Sequence, residues 1–461
     1  MSTALAAAEL GAGLAEPAVR PGRVRLAGMV VLGTWAVCTA VAVALVVRFG
    51  RTVPYSDDWQ LLPYESGRKP VTGSWLWHQH NEHRIPLVKA LHVVLLRTFH
   101  LDFRATTMAN VLALSLVALG LILAARRLRG EARLVDVAIP LLVLSPQVPA
   151  LQWGVQAQFT ATAVALCLVL VVAARRREPR TLPARDVVVW VGALFLLATS
   201  GLNGVAVLPV VAGTLLIRAV RARSAAIGAR VGAVAASAMA LSVVPLYFVH
   251  FQPTAHDWGH PGPAQLATVA TRLVASPLGP GVERRWPLAG LAVVGIGTLT
   301  IVAARRRPVR PPALFMVVLG AEVLVAGAVA FGRGGQPWGP GLSNHYSTLF
   351  LPLIGVLVLS WGPARDGATR AALAVGLAGL VMLYASATAD AVHQGRWVAA
   401  AEQSFRRDVQ AGVPAEVIVD RHIGLLYFVD SAETRRIVAD GLPALLCATG
   451  LGTCTGAAPT P

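Results

Sequence analysis

Residues 27–49 read AGMVVLGTWAVCTAVAVALVVRF, an apolar run whose only charge, Arg48, sits next to its end. At about 1.5 Å per residue, a helix of this length crosses the roughly 30 Å hydrocarbon core of a bilayer. Ten further runs follow at about 105–125, 134–151, 156–174, 186–201, 203–219, 231–250, 287–304, 311–331, 346–362 and 369–388. Lipid offers no hydrogen-bond partner, so such segments must be helices or strands of a closed barrel. They lack the alternation of barrel strands. The composition agrees: 55% of the chain is hydrophobic and 14% is charged, against about 25% charged in soluble domains. The expected class is an all-α polytopic membrane protein with about eleven transmembrane helices.

The net charge is +17, and nearly all of the basic residues are Arg. In a soluble chain that balance would point to nucleic acid. Here the charge sits in short clusters between apolar runs, so membrane lipid, not nucleic acid, is the expected partner. One set of connections holds Arg20, Arg23 and Arg25; then Arg126, Arg127, Arg129 and Arg133; then Arg175, Arg176, Arg177, Arg180 and Arg185. The same set continues with Arg218, Arg221, Arg223 and Arg230, with Arg305, Arg306, Arg307 and Arg310, and with Arg365 and Arg370. The alternate short loops, 152–155 and 201–204, hold no Lys or Arg. Positive loops stay in the cytoplasm. The expectation is a multi-pass plasma-membrane protein, N-terminus cytoplasmic and C-terminus extracytoplasmic.

Three regions follow. Residues 1–26 form a cytoplasmic N-terminus, Ala-rich and expected to be disordered. Residues 27–388 form the transmembrane domain, with outer loops 50–104, 251–286 and 332–345. Residues 389–461 form an extracytoplasmic tail with two modest helical patterns. Within the first loop, Ile85–His100 reads as a helix with an apolar face, expected to lie along the membrane surface. The turn at Gly201-Leu202-Asn203-Gly204 separates two spans. The first run has no small-residue cleavage site after it and is expected to remain as an anchor. Cys38 and Cys167 fall inside apolar runs. Cys447 and Cys454 lie in the tail and could pair in an oxidising compartment.

Each of the 11 His falls in an outer loop, at an outer span end or in the tail. Most of the Trp do the same, which the interfacial aromatic belt accounts for in part. The belt does not explain the His. The varied loops are therefore where function is expected.

Four stretches there could carry chemistry. Tyr55-Ser56-Asp57-Asp58-Trp59 places two adjacent carboxylates beside the membrane. Either could act as general base on a sugar hydroxyl or hold a divalent cation, Mg or Mn. The bland alternative is a helix cap. Trp75-Leu76-Trp77-His78-Gln79-His80-Asn81-Glu82-His83-Arg84 concentrates three His, a Glu and an Arg. It suits an acid–base, sugar or diphosphate site flanked by Trp platforms, and its spacing matches no closed zinc pattern. The bland alternative is a solvated loop. Gln152, Trp153, Gln156 and Gln158 open one span and Asn203 another. Such groups face a cavity or bond between helices. Gly332-Arg333 and Ser343-Asn344-His345-Tyr346 could hold phosphate oxygens, or Arg333 could snorkel to headgroups. Glu322, by contrast, falls near the middle of a span, where a charge costs several kcal/mol.

These residues resemble the GT-C superfamily of membrane glycosyltransferases. That resemblance rests on Asp57-Asp58-Trp59, His80-Asn81-Glu82-His83-Arg84, Trp153-Gly154-Val155-Gln156, Gly332-Arg333 and Ser343-Asn344-His345-Tyr346, and covers about residues 27–388. His345 stands where the bacterial members it resembles carry an Arg, after an extra Asn344. The resemblance implies transfer of a hexose or pentose from a polyprenyl-phosphate donor to a glycan, lipid or protein acceptor of the cell envelope. It implies Asp57 or Asp58 as base or metal ligand. His78, His80, Glu82, His83 and Arg84 would line the acceptor and phosphate region. Trp153, Gln156 and Asn203 would face the cavity, and Arg333, His345 and Tyr346 would contact donor phosphate. Two other classes remain: a lipid or glycan transporter without bond chemistry, for which Glu322 is the best argument, and an envelope scaffold.

Overall fold

The computed structural model describes residues 21–147, 151–175, 181–222, 225–252, 261–279, 295, 313–333, 335, 346–360 and 367–450. The expected span at 287–304, His345 and Cys454 lie outside these described residues. The rest is helical, and the only strand-like pairing among the described residues is an isolated bridge between His80 and His83.

Among the described residues, seven helices are long and apolar enough to cross a membrane. They are α1 (Pro21–Phe49), α5 (Arg104–Arg129), α7 (Ala157–Ala174, with the preceding turn Gly154–Gln156), α9 (Leu202–Arg221), α10 (Ile227–Phe248), α12 (Ala313–Arg333) and α14 (Gly367–Gln410). Shorter apolar helices complete the bundle: α6 (Ala138–Val143), α8 (Ala184–Thr199) and α13 (Leu351–Ser360). The first outer loop contributes α2 (Asp58–Glu65), α3 (Gly73–Trp77) and α4 (Pro86–Thr98). Beyond α10 lies α11 (Pro263–Ala275), and the tail supplies α15 (Ala415–Leu426) and α16 (Ala432–Thr449). Large apolar side chains on the bundle's outside stay bare, such as Leu116 at 68%, Val188 at 70% and Met382 at 71% exposure. Water would make that costly; lipid does not.

Among the described residues, members of the two sets of connections expected from charge make separate contacts. In the arginine set, Arg129 pairs with Asp136 and donates to the Val358 carbonyl at 3.3 Å, and Arg133 pairs with Glu131 at 3.0 Å. In the other set, the first loop reaches the start of α9 through His83 and the end of α10 through Arg84. The tight turn expected at 201–204 is present. Gly201 takes φ +89°, open to glycine alone, and lies close against His83.

The last expected span, 369–388, is the first half of one 44-residue helix. At about 1.5 Å per residue, α14 runs roughly 66 Å, twice a bilayer core. Loss of apolar character ends the crossing, but nothing ends the helix: no proline intervenes before Pro414. Its far end and the tail helices fold onto the first loop. Val398, Phe405, Ile418, Leu426 and Leu442 form one apolar core with Trp59, Leu62 and Leu96. Thr52 donates its backbone N–H to Glu402 at 2.9 Å, and Arg51 donates to the Leu425 carbonyl at 2.7 Å. Ser56 N–H and Trp59 Nε1 both donate to the Leu426 carbonyl, at 2.9 and 3.0 Å. The first loop and the tail therefore share one side of the bundle. Cys447 is disulfide-bonded, while Cys38 and Cys167 are free.

Candidate active site

Asp57 occupies the N-cap position of α2 and makes no side-chain capping bond. It is half-buried. It lies close enough for its charge to act on Tyr55, Asp58, Tyr346 and Tyr427. Asp58 points inward. It accepts the Tyr55 N–H at 3.1 Å and stands 4.0 Å from His92 Nδ1. His92, on α4, bonds Glu65 at 3.2 Å. Asp58 and Glu65 are seven residues apart, so α2 turns both to one face, and His92 sits between them with no exposed surface.

Burial raises the Asp58 carboxyl to about 7, although His92 pulls the other way. Burial raises Glu65 as well, offset by its bond from His92. Burial alone would lower His92, but the bond to Glu65 and the charges of Glu65 and Asp58 raise it. Asp58, Glu65 and His92 thus form one buried, electrostatically linked cluster that begins at the residue after Asp57.

Arg333 ends α12 and donates to Glu82 at 2.6 Å. It also bonds the phenol of Tyr346, whose ring packs 5.2 Å from Phe159 of α7. His83 Nδ1 accepts the Leu202 N–H at 3.3 Å, which leaves the proton of the neutral ring on Nε2. Burial pushes His83 down to about 4, so it is uncharged at neutral pH. His80 is likewise pushed to about 4 by burial. Asp57, Asp58, Glu82, His83, Arg333 and Tyr346 are thus gathered from the first loop, α12 and the start of the 347–350 turn.

Other expected site residues have different surroundings. Arg84 is buried, and its guanidinium is spent on three carbonyls: Tyr247 at 2.9 Å, Trp77 at 2.9 Å and Val249 at 2.7 Å. It clamps the loop to α10. His78 is exposed and bonds the neighbouring Gln79 carbonyl. Trp153 meets Tyr55 edge to face at 5.4 Å. Asn110 holds the Trp153 and Gly154 carbonyls at 3.3 and 3.1 Å, and a Cβ at Gly154 would strike the Thr106 side chain. Gln156 is buried with its amide oxygen unpartnered, and Asn203 with its amide nitrogen unpartnered.

Beside the cluster, α2, α3, α4 and the loops between them line an open cavity of about 560 Å³. Its walls include Gln60, Tyr64, Lys69 and Lys89, none of them singled out by the sequence. Ile85–His100 was expected to lie along the membrane surface. The helix forms, as Pro86–Thr98, but Lys89 is 2% exposed and His92 fully buried. Its polar edge is covered by α2 and α3. The signal available was that Lys89 and His92 lie three apart and share a helix face.

Among the described residues, no group of three or more His, Cys, Asp and Glu is arranged to hold a metal ion.

Fold and site together define a multi-span helical membrane protein with a charged, partly buried cluster at one end of its bundle. No family model matches the chain, and no curated protein matches it. Among solved structures, ArnT from Cupriavidus metallidurans in the apo state is similar over 94% of this chain and 76% of that one, with 18% sequence identity and a TM-score of 0.46. A likeness of that degree carries no argument about activity.

Proposed function

We propose that this protein is a membrane glycosyltransferase of the GT-C type, moving a sugar from a polyprenyl-phosphate donor to a cell-envelope acceptor on the extracytoplasmic face. One observation carries the reading. Asp57 of the first loop and Arg333 at the end of α12 both lie close enough to act on the Tyr346 phenol, which relates a carboxylate to a cation that Glu82 holds at 2.6 Å.

The chemistry follows from that pairing. Asp57 takes the proton of the acceptor hydroxyl as that oxygen attacks the sugar. The lipid phosphate departs with the bonding electrons, and Arg333 stabilises the charge it gains. Glu82 and Tyr346 fix the plane of the guanidinium so that it need not reorganise. Asp58, Glu65 and His92 form the support behind Asp57. Mg or Mn, if bound, would take Asp57 and lend Lewis-acid help to the departing phosphate. The arginine-rich opposite end supports placing the site outside the cytoplasm, as does the disulfide at Cys447.

The test is transfer by purified protein given radiolabelled polyprenyl-phosphate sugars, with and without Mg²⁺, against folded Asp57→Asn and Asp58→Asn variants. Loss of turnover in Asp57→Asn with or without added metal supports the base. Turnover indifferent to both substitutions removes the catalytic role. A transporter is favoured by one observation: Glu322 is buried in α12 with both carboxylate oxygens unpartnered. Movement of labelled lipid across liposomes without cleavage would establish that reading instead.

A further inference from the structure

The chain has two lysines, Lys69 and Lys89, against 38 arginines, and both line the same cavity. We propose that the cavity between α2, α3 and α4 is an acceptor subsite for a sugar ring bearing an acidic group, a carboxylate or a phosphate. The word acceptor rests on the transferase reading above; the binding does not.

The charge of the walls comes first. Among the described residues, no Asp or Glu lines the cavity. Lys89 is 2% exposed, and the charge that acts on it is another cation, Arg84. Its ammonium donates to the Trp75 carbonyl at 2.9 Å and the His78 carbonyl at 2.6 Å. An ammonium has three protons, so one donor remains. A buried cation held by carbonyls alone is costly unless an anion completes it.

A second observation points into the same space. His80 is 6% exposed, lines the cavity, and has no partner for Nε2. A buried, unsatisfied polar atom is rare in folded proteins and marks a place where a ligand or water bonds. Burial keeps the ring neutral, near 4, so it is free to bond a hydroxyl and not bound to repel Lys89.

Size and lining select among anions. The cavity, about 560 Å³, falls within the range of about 300–1,000 Å³ typical of small-molecule sites. A bare anion would leave most of it unused. Tyr64 and Trp75 stack at 4.2 Å, with Lys69 set 5.7 Å from the Tyr64 ring centre and Lys89 5.1 Å from that of Trp75. The stack thus stands between two ammonium groups, and Ser74 offers a hydroxyl at the rim. Two point charges and scattered hydrogen-bonding groups suit a polyol with an acid on it better than a planar carboxylate ligand, which arginine would fork.

Isothermal titration of the full-length protein in nanodiscs tests this, using glucuronate, glucose 6-phosphate, glucose and inorganic phosphate. At least one anionic sugar should bind tenfold or more tighter than glucose and than inorganic phosphate, and which one does so names the acid. Affinity for it should fall as pH rises through about 8, where Lys89 loses its proton. Lys89→Gln should weaken binding at least tenfold. Lys69 is exposed, so Lys69→Glu leaves the buried groups untouched and should also weaken binding tenfold. Glucose or inorganic phosphate binding as tightly as the tighter of the two anionic sugars, or indifference to Lys69→Glu, would each overturn the proposal. Binding is read without turnover. A protein that binds these probes and transfers nothing keeps the subsite and loses the transferase; one that transfers sugar and ignores them does the reverse.

Discussion

Arg333 donates to Glu82 at 2.6 Å, and that bond ties the first outer loop to the end of α12. Both side chains keep some solvent contact, 22% and 19%, so the pair is worth at most about 1 kcal/mol to stability. Arg333→Ala and Glu82→Gln should each lower the thermal midpoint by no more than about 4 °C. Loss of a fixed donor to a departing anion costs about 10² or more in rate, so transfer should collapse in Arg333→Ala. Melting curves and transfer measured on one preparation separate the two effects. A large melting shift with unchanged transfer would make the pair structural.

The Asp58 carboxyl, raised to about 7 in the fold by burial, titrates near 3.9 in an unfolded chain. Between those values the folded protein holds a proton that the unfolded chain has released. The stabilisation from Asp58 is therefore full below about pH 4 and lost as pH rises through about 7. His92, also raised, acts with the same sign, and Glu65 and Asp57 face the same cluster. The melting temperature should fall from pH 5.5 to 8.5, and should fall less in Asp58→Asn. Parallel slopes in the two proteins would show that Asp58 is ionised throughout.

Arg84→Lys keeps the charge and loses the fork that reaches three carbonyls. Hydrogen bonds to a charged group contribute about 1.5–3 kcal/mol each, and a lysine cannot span all three. Stability should drop by about 2–4 kcal/mol, and hydrogen exchange should quicken at 78–86 and 247–252. Unchanged exchange there would mean that other contacts hold the loop to α10.

A Cβ at Gly441 of α16 would lie 2.8 Å from Trp59 Cε3, and Trp59 is 1% exposed and cannot yield. Gly441→Ala should cost about 1–3 kcal/mol and reduce transfer by displacing α2. Gly213→Ala in α9, which meets nothing within 4 Å, should be neutral or slightly stabilising. Equal behaviour of the two variants would show that α16 does not press on the acidic helix.

The helical membrane class was legible because apolar runs of about 20 residues are written directly in the sequence. The acidic pair, Glu82, His83, Arg333 and Tyr346 stood out by residue type in loops, and folding gathers them. Arg84 stood out for the same reason, yet its partners are main-chain carbonyls, which no side-chain pattern reveals. Lys89 and His92 went unnoticed because polar residues on an amphipathic helix read as solvent-facing. Only the folding of α2 and α3 across that edge buries them, and that depends on residues far along the chain. The continuity of α14 was hidden because the end of an apolar run marks where a helix leaves lipid, not where it stops.

The carbonyl of Leu426 receives both Ser56 and Trp59, and this sets a schedule for biogenesis. A ribosome delivers residue 56 long before residue 426. Until the tail has been made and has folded back, α2 lacks the partner that seats it. A nascent or truncated chain can thus be inserted, threaded and anchored while its acidic helix is still unseated, and the site becomes competent only as the last helices close over the first loop.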